Sequence, residues 1–179
     1  LDYLIILIND DGDFKNKKIV LAESLLDSVT SDCGIKKFKI IKKFKGINFK
    51  DTICEHPFYN LGYNYDVPML NARFVNIEQG TGIVHCAPSH GPDDFNLCLN
   101  NGIKAIETVD GDGKYTANVP LFEGTHIFKA NPLIIEKLKK QQNLLSNGEL
   151  IHSYPHSWRS KAPLVHRATP QWFISMESH

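Results

Sequence analysis

One stretch decides how this chain folds around its candidate site: G-T-G-I-V-H-C-A-P-S-H-G-P-D-D-F, from Gly80 to Phe95. The glycines at its start predict a tight turn with exposed backbone groups. The apolar run over 83–86 then predicts a short buried strand that carries His85 at its end. Pro88 is expected to end that strand and to open a loop.

A helix is predicted directly after this loop. Pro92 is favoured as a first helical residue, and the two aspartates after it would lie in the first turn, where the helix dipole favours negative charge. Gly102 is expected to end the helix. This strand–loop–helix unit would bring two histidines and two aspartates to one rim, which is the candidate site: His85, His90, Asp93 and Asp94. Taken one by one, the same residues are also explained as helix-start acids and a core histidine.

The stretch resembles the editing-domain signature of isoleucyl-tRNA synthetase of the bacterial type. The resemblance covers most of the chain from Glu55 onward. It continues in the family's order through V-D-G-D-G-K-Y (109–115), F-K-A-N-P (128–132), Y-P-H-S-W-R (154–159) and R-A-T-P-Q-W-F-I-S-M (167–176). The related valyl and leucyl enzymes share the G-T-G and the later aspartate, but do not usually carry V-H followed by H-G-P-D-D. The isoleucyl family is therefore preferred.

The resemblance implies post-transfer editing, the hydrolysis of the ester of mischarged Val-tRNA(Ile). One methylene is worth only about 1–3 kcal/mol of discrimination, a limit for which isoleucyl-tRNA synthetase is itself the standard example. A second, smaller pocket must therefore sieve the amino acids. By resemblance the catalytic residues are Asp94, which would pair with the aminoacyl ammonium, and His85, which would line the side-chain pocket.

The remaining site residues would bind substrate. The glycine turn would present backbone groups to the terminal adenosine or to the ester, and the loop near 110 lies near the editing pocket in the family. The expected substrate-binding residues are Gly80, Thr81, Gly82, His90, Asp93 and Asp110. Since the sequence has no G-x-S-x-G elbow, water attack aided by the substrate's ribose hydroxyl is the expected reaction, and Ser89 is not expected to be a nucleophile.

Several family signatures are missing from this sequence. The threonine-rich T-T-T-P-W-T peptide, which normally precedes the first strand and supplies part of the pocket, does not occur, and neither do H-I-G-H or K-M-S-K-S. We expect no aminoacylation by this chain and impaired hydrolysis by it alone. No cofactor is expected in this domain, because ATP and Mg²⁺ would serve the catalytic domain of the full enzyme. A non-catalytic module that binds the aminoacylated tRNA 3′ end is the alternative.

The expected partners are the aminoacylated 3′ end of tRNA(Ile), its valine moiety and the rest of the synthetase chain. The 179 residues carry 20 basic and 20 acidic side chains, so no global field draws the chain to nucleic acid. Four cysteines without C-x-x-C spacing indicate reduced thiols and a cytoplasmic protein. No apolar run reaches membrane-spanning length, and no membrane partner is expected.

The expected fold class is α+β, a β-barrel-rich editing domain with peripheral helices. Its first part is predicted as strands over 1–8 and 18–22, a helix over 23–32 ended by Gly34, and a strand over 36–45. That last stretch, K-K-F-K-I-I-K-K-F-K, is either a solvated strand face, which we favour, or a phosphate-contacting surface. A chain that opens in mid-strand is typical of an excised fragment.

Further elements are predicted along the rest of the chain. Asn131 would cap and Pro132 would open a helix, and 110–113 would form a turn. The expected strands cover 74–77, 104–107, 151–154, 164–168 and 171–175. The predicted domains are 1–150, the N-terminally truncated editing domain, and 151–179, strands returning toward the synthetase catalytic domain.

A metal site is not expected. Many relatives have cysteines where this chain has Ser157 and Ser160, and serine is not a competent zinc ligand. The histidines nearby, His152, His156 and His166, leave a histidine site open. A histidine-metal hydrolase would need stoichiometric metal, and the lack of compact ligand spacing disfavours it. Asp110 and Asp112 alone are too few ligands.

Overall fold

A computed structural model describes residues 1–78, 80–149, 151, 153–172 and 174–176. The chain divides into two compact units. Unit 1 comprises Leu1–His85 and Lys129–Ile151, and unit 2 comprises Cys86–Phe128 and His152–His179. The stretch from Gly80 to Phe95 is therefore shared between them, with its glycine turn and His85 in unit 1 and its helix in unit 2.

Unit 1 is built on a three-stranded antiparallel sheet. Its strands are β1 (Asp2–Ile8), β2 (Lys18–Ala22) and β3 (Phe38–Lys45), in the order β2-β1-β3. The continuous apolar run of the first strand suits the central position, where both edges are paired. The predicted hairpin of the first two strands is confirmed.

A short helix covers this sheet and supplies the other side of the core. A single 3-10 turn over Glu23–Leu25 leads into α1 (Leu26–Asp32), and Gly34 follows in the left-handed region with φ of 66°. The predicted helix and its glycine stop are confirmed. The buried cluster between helix and sheet consists of Tyr3, Leu4, Ile6, Leu21, Ala22, Leu25 and Val29. Each large aliphatic side chain buried there contributes about 1.5–3 kcal/mol.

The lysine-rich strand β3 has one wet face, as predicted. Phe38 and Phe44 pack half-buried against the core cluster, while the lysines between them are exposed. A register shift opposite Ile5 and Ile6 leaves Ile41 without a paired residue, which explains the imperfect alternation. The phosphate-contacting surface proposed for this strand stays a prediction.

Residues 46–78 of unit 1 are mostly turns. A second sheet pairs only β4 (Ile53–Glu55) with β5 (Asp66–Pro68), and 3-10 turns cover Gly46–Phe49 and Tyr59–Leu61. The strand predicted over 74–77 is wrong, because this segment forms a turn and a bend. The segment is apolar, but in the described part of the chain no strand pairs with its backbone.

The described residues of unit 2 contain one complete helix and little other regular structure. The helix α2 (Pro92–Asn100) begins at the predicted proline, and Gly102 follows it with φ of 74°. Isolated bridges join Val109 to Tyr115, Lys114 to His126, and His156 to Pro163. These bridges hold loops and not strands.

Other predicted strands are also wrong. The segments 83–86 and 104–107 are irregular, and the described residues of 151–154, 164–168 and 171–175 contain no strand. His152 and Phe173 lie outside the described residues. The apolar content of these segments resembles that of a strand, but a strand also needs a partner at hydrogen-bonding distance, and none pairs with them in the described part of the chain.

The third helix starts earlier than predicted. It is α3 (Ile127–Lys140), so Asn131 and Pro132 lie inside it and do not begin it. The first-turn donors find other acceptors, because the N–H of Ile127 donates to the carbonyl of Gly113 and that of Phe128 to Nδ1 of His126. The missing N–H of the proline thus costs one hydrogen bond within an otherwise supported helix.

The α+β class is confirmed, whereas the barrel is not. In the described ranges the sheets have three and two strands, and neither closes on itself. The predicted domain boundary at 150 stays a prediction, although the strands expected after it are wrong. None of the helices described here is long and apolar enough to cross a membrane.

Candidate functional site

The glycine turn of unit 1 is fixed onto the sheet core. The N–H of Ala22 donates to the carbonyl of Thr81 at 2.8 Å, and the hydroxyl of Tyr3 donates to the carbonyl of Gly82 at 2.7 Å. Gly80 and Gly82 have φ of 73° and 75°, a conformation that glycine adopts without strain. The predicted turn is confirmed, and its carbonyls, not its N–H groups, are the atoms tied to the core.

An open cleft of about 510 Å³ lies along this turn. We call it the loop cleft; its lining residues are Phe74, Asn76, Gly80, Thr81, Gly82, Ile83 and Val84. The three residues predicted from the G-T-G motif are therefore together in one cleft. Phe74 and Asn76 were missed as lining residues because 74–77 was assigned to a strand. Backbone groups and apolar side chains dominate the cleft, which suits an uncharged part of a ligand.

His85 follows the loop cleft and is exposed, which corrects its prediction as the end of a buried strand. It affects a second histidine of unit 1. Burial, and then the proximity of His85, hold the pKa of His56 below its usual value of 6.5. His56 stacks on Tyr63 with ring centroids 4.3 Å apart, and its Nδ1 accepts from the N–H of Phe58 at 3.0 Å. The sequence did not predict this neighbourhood of His56, because no local pattern connects His56 with His85.

Asp94 is the half-buried acid of helix α2 in unit 2. One of its oxygens, Oδ2, accepts a hydrogen bond from the N–H of Ala87 at 2.9 Å, which ties the preceding loop to the first turn of the helix. Burial, and then the carboxylate of Asp94, raise the pKa of the Cys86 thiol, so this cysteine stays protonated. Asp93, one position earlier, is exposed.

Ser89 and His90 hold loops of unit 2 together. The buried hydroxyl of Ser89 donates to the carbonyl of Ile106, so this serine is not poised as a nucleophile. Nδ1 of His90 lies 2.8 Å from the carbonyl oxygen of His166, and Nε2 lies 2.7 Å from Oγ1 of Thr108. Since a carbonyl only accepts, Nδ1 carries a proton, and the neutral ring accepts from the threonine hydroxyl at Nε2.

Asp110 organises the predicted turn over 110–113, which is confirmed. Its Oδ1 accepts from the N–H groups of Asp112 and Lys114, both at 2.9 Å. These hydrogen bonds, that of Lys114 first, and the charges of Lys114 and Arg167 hold the pKa of Asp110 below its usual value. The carboxylate therefore stays ionised near neutral pH.

A second cleft, of about 520 Å³, opens beside this turn within unit 2. We call it the turn cleft; its lining residues are Asp110, Gly111, Asp112, Gly113, His126, Phe128, Ala162, Pro163, Val165 and Arg167. Sequence reasoning found Asp110 but not Arg167, because the two are far apart along the chain and no local pattern connects them.

Comparison with known proteins gives the chain a family. No family model matches it. The isoleucine–tRNA ligase of Pelagibacter ubique is 82% identical over 179 residues, which is all of this chain and 20% of that protein. The ligases of Gluconobacter oxydans and Hahella chejuensis are 43% and 40% identical over 171 and 177 residues, covering 89% and 99% of this chain and 18% of each ligase. The chain belongs to the isoleucine–tRNA ligase family. It spans about a fifth of the length of these relatives, and the predicted family is confirmed.

Within this segment of an isoleucine–tRNA ligase, the candidate residues fall into separate groups. The glycine turn lines the loop cleft, with His85 directly after it in the same unit. In unit 2, Asp94 is hydrogen-bonded to the loop, His90 is tied to neighbouring loops, and Asp110 lies in the turn cleft. That His85, His90, Asp93 and Asp94 share one rim stays a prediction, as do their roles.

The two serines at which the absence of a zinc site was expected, Ser157 and Ser160, lie in one short loop of unit 2. The hydroxyl of Ser157 accepts from the N–H of Ser160 at 3.3 Å, and Nδ1 of His156 bonds the carbonyl of Tyr154 at 2.7 Å. In the described ranges no three His, Cys, Asp or Glu side chains lie close enough to hold a metal ion. His152 lies outside the described residues.

Proposed function

We propose that this segment is the post-transfer editing domain of an isoleucine–tRNA ligase, and that it hydrolyses the ester of mischarged Val-tRNA(Ile). The observation that carries the proposal is the setting of Asp94. It is half-buried in the first turn of a helix, and in the described part of the chain no lysine or arginine pairs with it. A carboxylate can accept about four hydrogen bonds, and Ala87 supplies one. Capacity remains for the ammonium of an aminoacyl ester.

The other proposed roles come from the family resemblance. The loop cleft would take the terminal adenosine or the ester against the backbone of the glycine turn, and exposed His85 would limit the size of the amino-acid side chain. Water would attack the ester carbonyl, aided by the ribose hydroxyl of the substrate. The tRNA 3′ end, the valine moiety and the rest of the ligase chain would be the partners, in the cytoplasm, and no cofactor would be used.

The test is hydrolysis of Val-tRNA(Ile) by this chain and by one extended upstream through the threonine-rich peptide of the family. Replacing Asp94 by Asn removes a charge-assisted hydrogen bond, worth about 1.5–3 kcal/mol, and should lower kcat/KM about 10- to 100-fold in whichever chain is active. Glu123→Gln, an exposed acid of the same unit, should leave it unchanged. Full activity of Asp94→Asn would refute the ammonium role.

A second candidate is a module that binds the aminoacylated tRNA end without turnover. The engagement of Ser89 and of both ring nitrogens of His90 favours it, because neither group is free to act as nucleophile or base. It predicts that a non-hydrolysable valyl-amide of adenosine binds the chain while Val-tRNA(Ile) remains intact in both the shorter and the extended form.

A further inference from the structure

In the turn cleft of unit 2, the side chains of Arg167 and His126 lie next to the glycines of the turn. A Cβ placed on Gly111 would lie 3.9 Å from Nη2 of Arg167, and one placed on Gly113 would lie 3.1 Å from Nε2 of His126. Both side chains therefore lie against the turn where it has no side chains of its own. The turn itself is fixed by the Oδ1 hydrogen bonds of Asp110.

The donors of these two side chains retain unused capacity. Nη1 of Arg167 makes only long contacts, 3.4 Å to Oε1 of Glu107 and 3.5 Å to the carbonyl of Val109, and its Nη2 has no partner in the described part of the chain. The guanidinium can therefore still offer the paired N–H groups that match a carboxylate. Nδ1 of His126 accepts from the N–H of Phe128, so the neutral ring carries its proton on Nε2, which faces the turn.

An acceptor of opposite charge lies beside these donors. Oδ1 of Asp110 is taken by the turn, whereas its Oδ2 has no donor in the described part of the chain. Arg167 is close enough to act on the charge of Asp110, but its ion pair among the described residues is with Glu107. The two opposite charges therefore border the cleft without closing on each other.

The remaining wall is apolar. Phe128 is 46% exposed there, and the other apolar lining residues are Ala162, Pro163 and Val165. The volume of about 520 Å³ lies within the range of small-molecule sites, and such sites combine an apolar wall with a few polar groups that fix orientation.

We propose that the turn cleft binds a free α-amino acid with an apolar side chain, holding its carboxylate at Arg167 and its ammonium at Asp110. A simple anion such as phosphate would be repelled by the two aspartates of the turn, and a simple cation would leave the guanidinium unmatched. A zwitterion satisfies both, and the apolar wall receives its side chain. Free valine, the product of the proposed hydrolysis, belongs to this class; that link alone rests on the proposed function.

The test begins with the chemical form of the ligand. L-valine is titrated into the chain by calorimetry or by NMR chemical shifts, beside valinol, which lacks the carboxylate, and 3-methylbutanoate, which lacks the ammonium. Valinol and 3-methylbutanoate each lack one of the two charged groups that would pair with the cleft. Both should bind at least about tenfold more weakly than valine. Equal binding of the three compounds, binding by none, or stronger binding of inorganic phosphate would overturn the proposal.

Variants then separate a binding role of Arg167 from a structural one. Arg167→Gln should weaken valine binding at least about tenfold. Glu107→Gln removes the same ion pair but keeps the guanidinium, and should retain valine binding. Equal losses in both variants would mean that Arg167 only supports the fold, and would refute its contact with the carboxylate.

Asp110→Asn keeps an acceptor for the turn while removing the charge, so it should weaken valine binding but not 3-methylbutanoate binding. Glu123→Gln, an exposed acid of the same unit that does not line this cleft, should leave valine binding unchanged. A chain that binds valine but fails to deacylate would refute the proposed function and keep this site. A chain that deacylates but does not bind valine would do the reverse.

Discussion

Unit 1 and unit 2 are each stabilised from within, and the kind of contact that stabilises them differs. Unit 1 has a continuous apolar cluster, in which Ile6 and Leu21 are fully buried. The buried residues in the described part of unit 2 are few: Ser89, Cys98, Val109 and Phe122. Its loops are tied instead by the side chains of Ser89, His90 and Asp110. Stability should therefore depend on apolar volume in unit 1 and on individual hydrogen bonds in unit 2, each worth about 0.5–1.5 kcal/mol.

The largest effect is expected from a cavity in unit 1. Ile6→Ala removes a side chain with 0% exposure from the central strand and should lower the free energy of unfolding by about 2–5 kcal/mol. Urea denaturation measures this loss, and hydrogen exchange of the β1 amides shows whether it arises in unit 1. Ile47→Ala, at a 65% exposed position of the same unit, should stay within about 0.5 kcal/mol. Similar losses in both would contradict an apolar core as the main support.

Next is the fit of the glycine turn onto the sheet. Gly80 and Gly82 both have positive φ, so alanine at either position should cost about 1–2 kcal/mol. Only at Gly82 would the new Cβ also lie 2.6 Å from Cβ of Ala22, whereas nothing lies within 4 Å at Gly80. Gly82→Ala should therefore lower the free energy of unfolding by about 1–3 kcal/mol more than Gly80→Ala. Equal costs in urea denaturation would show that the turn does not rest on the sheet.

A smaller effect is expected when one polar tie is removed from unit 2. Ser89→Ala deletes the hydroxyl that donates to Ile106 and should cost about 1 kcal/mol. Exchange of the Ala168 amide, which donates to the Ser89 carbonyl, should accelerate while the β1 amides keep their protection. Ser160→Ala removes an exposed hydroxyl of the same unit that accepts only a long hydrogen bond, 3.3 Å from the N–H of Ala162; it serves as control and should change neither. If the β1 amides also lost protection, the hydrogen bond of Ser89 would not act on unit 2 alone, and the proposed difference between the two units would be wrong.

The same contrast explains which elements could be predicted from the sequence. The order Pro92-Asp93-Asp94 starts a helix through local chemistry, and Gly34 ends one, so both predictions hold. A strand depends on a partner elsewhere in the chain. The apolar run at 83–86 has the composition of a strand, yet Ile83 packs against the core of unit 1 without pairing.

Pro132 shows the opposite error. Asn-Pro is a strong local signal for the start of a helix, but the carbonyl of Gly113, distant in sequence, accepts the N–H of Ile127 and allows the helix to begin earlier. The site follows the same rule. The G-T-G motif was enough to predict the turn that lines the loop cleft, whereas the nearness of His56 to His85, and of Arg167 to Asp110, depends on folding across many residues.

The smallest effect is expected from His56, a polar side chain among the aromatic rings of unit 1. Because burial and His85 lower the pKa of His56 in the folded state, the unfolded chain binds this proton more readily. The stabilising contribution of neutral His56 is complete above pH 6.5 and is lost as the pH falls from 6.5 toward the lower folded-state pKa. Protonation would also take the lone pair of Nδ1 that accepts from Phe58.

The free energy of unfolding should therefore decrease as the pH is lowered from 7.5 to about 5. The variant His56→Phe keeps an aromatic ring against Tyr63 and should show a shallower decrease. His85→Gln removes the second cause of the shift and should raise the folded-state pKa of His56, observed as the midpoint of its ring proton resonances. Because burial is the larger cause, the midpoint should remain below 6.5 even in that variant. If the midpoint does not move in His85→Gln, burial alone would lower the pKa of His56. The two histidines of unit 1 would then not interact, and the comparison with the hydrogen-bonded loops of unit 2 would lose its polar example in unit 1.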